Sequence, residues 1–277
     1  MNLGSLLRPL CVMGLLAAPF HADRLLTAGS DGIVMQADTD VGVFTPFTAI
    51  ASGPIQALAF DEARLFVADS LGDLYVYDVE SGVLLDIFSP GLGPIPAMVT
   101  ARGALFVGTQ DSRIVRIDPS TGLNTGERSV PSPVRAMVDF GGKIVVSTQD
   151  GGFYRASYEV GQFNYFTCFC LFNTQDMVVA DGGLVVLDEF GTVARVRYQD
   201  GEILSAFSAG GTNSMAALDG KLLFYYSTGQ GGVITRFDPR TGRQLPGTFT
   251  TASSFDVMLV IPDHWRVRGQ TEAPIVR

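Results

Sequence analysis

Apolar and polar residues in this chain alternate over short runs, and no stretch carries a convincing three-to-four-residue helical spacing. The runs RLFVADS, ALFVGTQ, KIVVSTQ, GLVVLDE and KLLFYYS are rich in β-branched and aromatic residues and end in polar turn formers, so each predicts a strand. A second run follows each one: LYVYD, RIVRID, GFYRAS, TVARVR and GVITRFD. A third, such as VLLDIFS or EILSAFS, completes the set. Ahead of each group stands a phrase of the form xAMV. Aligning these phrases superimposes Leu58, Met98, Met137, Met177, Met215 and Met258, at intervals of 40, 39, 40, 38 and 43 residues.

A period near 40 marks a repeat protein whose unit cannot bury its faces alone. Four antiparallel strands per repeat form one propeller blade. The strands RLLTAGSDGIVMQAD precede the first xAMV phrase, and SFDVMLV at 254 to 260 has no strands after it. The two ends therefore complement each other. The predicted fold is all-β: a six-bladed β-propeller of four-stranded blades, closed by the C-terminal strand. It spans residues 23–261, with a leader at 1–22 and a tail at 262–277.

Within each repeat the second run closes on a turn of the form Asp-x-x-x-Gly, seen as DTDVG, DVESG, DPSTG and DPRTG. Asp opens such a turn, and the final Gly supplies a positive φ. SYEVG reads as a degenerate copy and QDG, at 199 to 201, as a shortened one. The recurring Met reads as packing: a flexible side chain filling a narrow gap between blades near the axis.

Composition narrows the partners. With a net charge of −9 and no Lys/Arg cluster, the chain lacks the footprint of a nucleic-acid binder. Arg8 followed by the uncharged run Pro9 to Phe20 is too short to span a bilayer but fits a signal peptide. Export is therefore expected, with no membrane span once the leader is removed. Cys168 and Cys170, in FTCFC, would sit on one face of a strand with Cα atoms about 7 Å apart, which favours two reduced thiols over a disulfide.

At these residues the chain resembles the WD-repeat and quinoprotein-like β-propeller superfamily, including bacterial YVTN-type propellers. IDPSTG and FDPRTG at blade hairpins, with LFVADSLGDLYVYD, look like its repeats, and the likeness runs over residues 24 to 260. The resemblance implies a propeller, often an exported one, and no particular activity. Quinoprotein alcohol dehydrogenases are similar in turn chemistry but are much longer and carry a Trp in each repeat. Here the single Trp is Trp265, beyond the blades, so pyrroloquinoline quinone is not an expected cofactor.

Propeller ligands usually meet the face bearing the loop before the innermost strand and the turn between the second and third strands. Two residues before each Met or Leu stand Gln56, Pro96, Arg135, Gln175, Asn213 and Asp256. This mixed ring at the channel mouth suits a small polar or anionic ligand, or a chain of ordered waters. The turns of the same face carry Asp31, Asp69, Asp111, Asp150, Asp188, Glu189 and Gln230. Each Asp reads as a turn former, and together they predict an acidic face suited to calcium or a basic partner. No Asp-x-Asp-x-Asp-Gly calcium loop is present.

Both histidines, His21 and His264, fall outside the blades, which excludes a Ser-His-Asp or Cys-His arrangement within them. The expected function is an exported, monomeric, non-enzymatic platform that binds a protein partner or a small polar ligand. The alternative is a hydrolase or lyase using Arg135 and Asp256 with Asp150 or Asp188.

Overall fold

In the computed structural model, the described residues are 23–261 apart from 40–41, 50–52, 62, 162, 169–172, 229–230 and 252–253, together with the backbone only of Cys168 and Asn213. The predicted leader, the tail, Cys170 and Gln230 lie outside them, as does the side chain of Cys168.

Twenty-four strands form six four-stranded antiparallel sheets. Blade 2 shows the plan, running outward from the axis as β4 (Ile55–Asp61), β5 (Arg64–Asp69), β6 (Leu74–Asp78) and β7 (Leu84–Phe88). Blade 3 repeats it with β8 (Ala97–Ala101), β9 (Ala104–Gly108), β10 (Arg113–Ile117) and β11 (Asn124–Ser129). Blade 4 comprises β12 (Val134–Phe140), β13 (Lys143–Thr148), β14 (Gly152–Ala156) and β15 (Phe163–Cys168). Blade 5 comprises β16 (Thr174–Ala180), β17 (Gly183–Asp188), β18 (Thr192–Val196) and β19 (Ile203–Ser208). Blade 6 comprises β20 (Thr212–Leu218), β21 (Lys221–Ser227), β22 (Gly232–Phe237) and β23 (Gln244–Thr251).

Blade 1 draws on both ends of the domain. Its inner strand β24 (Val257–Ile261) pairs antiparallel with β1 (Arg24–Ala28), from Arg24 opposite Ile261 to Ala28 opposite Val257. β2 (Ile33–Asp38) and β3 (Phe44–Ala49) complete the sheet. The expected closure is therefore the observed one.

The core is not one mass but six apolar seams, one between each pair of neighbouring blades. This explains why the second strands read as continuous apolar runs. Both faces of β9 are covered by other blades, and all five of its residues are buried. The recurring residue behaves as packing requires. Leu58, Met98, Met137, Met177, Met215 and Met258 are each at most 7% exposed, and each belongs to a different seam.

The turns between third and fourth strands share a backbone pattern. Gly42, Gly82, Gly122 and Gly242 donate their N–H to the carbonyl of the Asp four residues earlier, at 2.8 to 2.9 Å. Blade 5 corrects one expectation: its turn is not shortened. Gly201 N donates to Arg197 O at 2.9 Å, so the five-residue unit RYQDG is complete, with Arg197 in the Asp position. In blade 4 Val160 takes the positive-φ place, at 52°.

These turns hold each blade to its neighbour on one side of the disc. Arg24 pairs with Glu80 at 3.2 Å, Arg64 donates to the Pro119 carbonyl at 2.6 Å, and Arg102 lies over the Tyr158 ring at 4.5 Å. Tyr198 donates to the Gly141 carbonyl at 3.0 Å, Arg240 pairs with Asp181, and Arg236 donates to the Thr39 carbonyl at 2.6 Å. Every one of the six blade junctions thus has a polar or cation–π latch.

Candidate channel and loop face

The opposite side of the disc carries the turns between second and third strands and the links between blades. Backbone bonds join the two: Ser70 N to Pro54 O, Gln110 N to Pro94 O, Gln149 N to Pro133 O and Glu189 N to Asn173 O. At its centre opens an axial channel of about 710 Å³, walled by the six inner strands.

Of the predicted mouth residues, Gln56, Pro96, Arg135, Gln175 and Asp256 line this channel. The side chain of Asn213 is outside the described residues. Register explains their placement. In β4, β12, β16 and β20 the pairing skips one residue, between Ile55 and Ala57, Val134 and Ala136, Thr174 and Asp176, and Thr212 and Ser214. The skipped residues are Gln56, Arg135, Gln175 and Asn213. Each is a β-bulge, and at Gln56, Arg135 and Gln175 the bulge re-aims the side chain out of the alternation that would otherwise bury it against a neighbouring blade.

Counting around the ring places Asp256, from blade 1, across the mouth from Arg135, from blade 4, and Gln56 across from Gln175. Neither Arg135 nor Asp256 forms an ion pair among the described residues. Arg135 Nε and Gln56 Oε1 are buried atoms without a hydrogen-bond partner among the described residues. The mouth therefore offers one cationic, one anionic and two amide groups that its own structure does not satisfy.

The turn acids divide into two kinds. Asp69 and Asp188 occupy the first turn position and are 0% and 2% exposed. Their Oδ1 atoms accept backbone N–H groups two and four residues on, from Leu71 and Asp73 and from Phe190 and Thr192, at 2.6 to 3.0 Å. Asp31, Asp111 and Asp150 occupy the third position and are exposed. Asp31 Oδ1 accepts from Ile33 N at 3.1 Å.

In blades 3 and 4 a Thr-Asp pair does the work of the single buried Asp. Thr109 Oγ1 accepts from Arg113 N at 3.0 Å and donates to Asp111; Thr148 Oγ1 donates to Asp150 at 2.6 Å. The Arg113 guanidinium holds the Asp111 carboxyl below its usual range, and the Thr148 hydroxyl does the same for Asp150. Glu189 accepts from Asn173 at 3.0 Å. The uniform acidic face expected from sequence is thus thinner than five Asp residues suggest, because Asp69 and Asp188 turn inward to brace their hairpins.

Two features had not been anticipated. At the turn tips where blades 1, 3 and 4 place Asp, blades 2 and 5 display Leu71 and Phe190, 66% and 69% exposed. They stand on opposite sides of the mouth. The second feature is Asp176, on the channel wall one residue deeper than Gln175. Its Oδ1 accepts from Met177 N at 2.8 Å, and its Oδ2 from Met215 N at 2.8 Å and Ser214 Oγ at 3.3 Å, across the junction to blade 6. By area the residue is only half-buried, since it opens on the lumen. Burial pushes it up to about 6, against the opposing effect of those three donors. One signal pointed to it: TQDMVV puts Asp where the repeats PIQAL, PIPAM and PVRAM have Ala.

Architecture of this kind recurs among solved structures. The WD40 β-propeller domain of Doa1 superimposes with a TM-score of 0.62 at 12% identity, covering 83% of this chain and 80% of that one. In fold, the chain is a WD40-like β-propeller. The computationally designed Ika8 protein matches with a TM-score of 0.57 at 18% identity, over 83% of this chain and 75% of its own. No family model matches the sequence, and no curated protein matches it.

Proposed function

We propose that the protein is an exported, non-enzymatic binding platform whose working surface is the loop face around the channel mouth. One observation carries the reading: Leu71 and Phe190 are displayed on opposite blades of that face, flanking an Arg135 and an Asp256 that have no ion-pair partner among the described residues. Large exposed apolar side chains beside unsatisfied polar groups are the chemistry of a protein contact. The fitting partner is a protein segment lying across the mouth, with an apolar anchor at each end and an acidic and a basic residue between them. Export rests on the leader read from residues 1–22.

The hydrolase or lyase reading draws less support. Asp188 Oδ1 and Asp150 Oδ1 accept hydrogen bonds within their own hairpins, and Arg135 and Asp256 stand on opposite walls.

The test uses the full chain as bait in extracts of its own cells, beside a Leu71→Glu/Phe190→Glu variant and an Arg240→Ala variant altered on the opposite side of the disc. The expected outcome is a protein retained by the wild type and by Arg240→Ala, and retained at least about tenfold less by the loop-face variant. Equal retention by all three overturns the assignment of the face.

A further inference from the structure

Around the channel, the position just before each recurring Leu or Met is held by Ala57, Ala97, Ala136, Asp176, Ser214 and Val257. Four of the six are apolar, so closing the inner ring does not require a carboxylate at this level. Blade 5 nevertheless places one there, in a wall formed at this level and the next one inward by small and aliphatic residues such as Val257, Val99, Val178 and Leu259.

All three donors to Asp176 are neutral: two backbone N–H groups and one hydroxyl. A carboxylate in an apolar wall with no cation beside it is electrostatically incomplete. The charged groups on the elements around it do not supply one. β12 contributes Arg135 at the mouth and Asp139 toward the far end, β17 ends in Asp188, and Asp256 precedes β24 across the lumen; β20 contributes no charged residue. Arg135 is not among the groups that act on Asp176. The channel lining therefore carries three acids, Asp139, Asp176 and Asp256, against one base.

We infer that the channel is a binding site for a small organic ammonium compound, its cationic head against Asp176 and its apolar body along Val99, Val178, Val257 and Leu259. The volume, about 710 Å³, is that of a small-molecule pocket. An ammonium group gives Asp176 the opposite charge it lacks, while the aliphatic wall takes the hydrocarbon. The site lies below the mouth and does not depend on a protein partner at the loop face.

The experiment compares three probes of equal length, hexylammonium, hexanol and hexanoate, binding to the full chain as followed by ligand-observed NMR titration. Hexylammonium is expected to bind at least tenfold tighter than hexanol, and hexanoate more weakly than either. Since a cation binds only the ionised carboxyl, hexylammonium affinity is expected to rise about tenfold between pH 5 and pH 7.5, while that of hexanol stays constant. Asp176→Asn is expected to abolish the preference for hexylammonium. The pH series on the wild type keeps the test decisive even where that variant does not fold. Equal binding of hexylammonium and hexanol, preference for hexanoate, or no binding of any probe overturns the inference.

Discussion

Asp176 has a measurable consequence without any ligand. In the folded protein its carboxyl holds its proton up to about pH 6, whereas the unfolded chain releases it near the ordinary Asp value of 3.8. Between these values the native state binds more protons, so this group's contribution to stability falls as pH rises through the window. The full loss is about 3 kcal/mol. Acids held below their usual range, such as Asp111 and Asp150, act in the opposite sense and at lower pH. Urea unfolding of wild type and Asp176→Asn between about pH 4 and pH 7.5 should separate the two: relative to the wild type, the Asn variant becomes more stable as pH rises. A constant difference would mean that the carboxyl titrates normally. The sequence exposed this residue only as a mismatch in the repeat, because burial and the donors on blade 6 arise from residues 38 and 39 positions away. The mouth residues were legible by counting back from the Met. That bulges aim Gln56, Arg135 and Gln175 into the lumen was not, since a bulge is a property of paired strands.

At the scale of the element, the five-residue turn between third and fourth strands does two jobs. Its Gly permits the backbone, as at Gly122 with φ of 70°. It also leaves room for the neighbouring blade: a Cβ on Gly122 would lie 2.4 Å from Phe88 Cγ, and one on Gly242 2.4 Å from Phe207 Cγ. Gly122→Ala therefore combines backbone strain with overpacking at a blade junction. Thermal and urea unfolding should show a loss of about 1–3 kcal/mol. A neutral result would show that the outer strands yield easily. The turns themselves were readable because Asp and Gly at fixed offsets have a local cause. RYQDG was misread as short because its first residue is Arg197, and only the bond from Gly201 N to Arg197 O reveals the frame. Turn acids were likewise read as one set, whereas Asp69 and Asp31 differ by two positions within the hairpin and so in burial.

For the whole molecule, blade number and closure were legible because a repeat must bury the same two faces six times, and because each end of the domain lacked what the other supplied. The closing strand is correspondingly critical. A chain ending at Asp256 leaves β1, with Leu25 and Leu26 at most 1% exposed in the intact ring, without its inner neighbour. Such a truncation is expected to cost at least about 5 kcal/mol, comparable to the total stability of a domain, and to replace one cooperative transition by a broad one with dye-binding intermediates. A sharp transition near the wild-type midpoint would show that five blades and a remnant suffice. The same closure sets an order in time. β1 leaves the ribosome more than 200 residues ahead of its partner Val257–Ile261. At about 5–20 residues per second that interval is tens of seconds, during which a newborn RLLTA segment presents an unpaired apolar edge. The earlier strand must wait for its later partner, and the cell has to shelter that edge until it arrives.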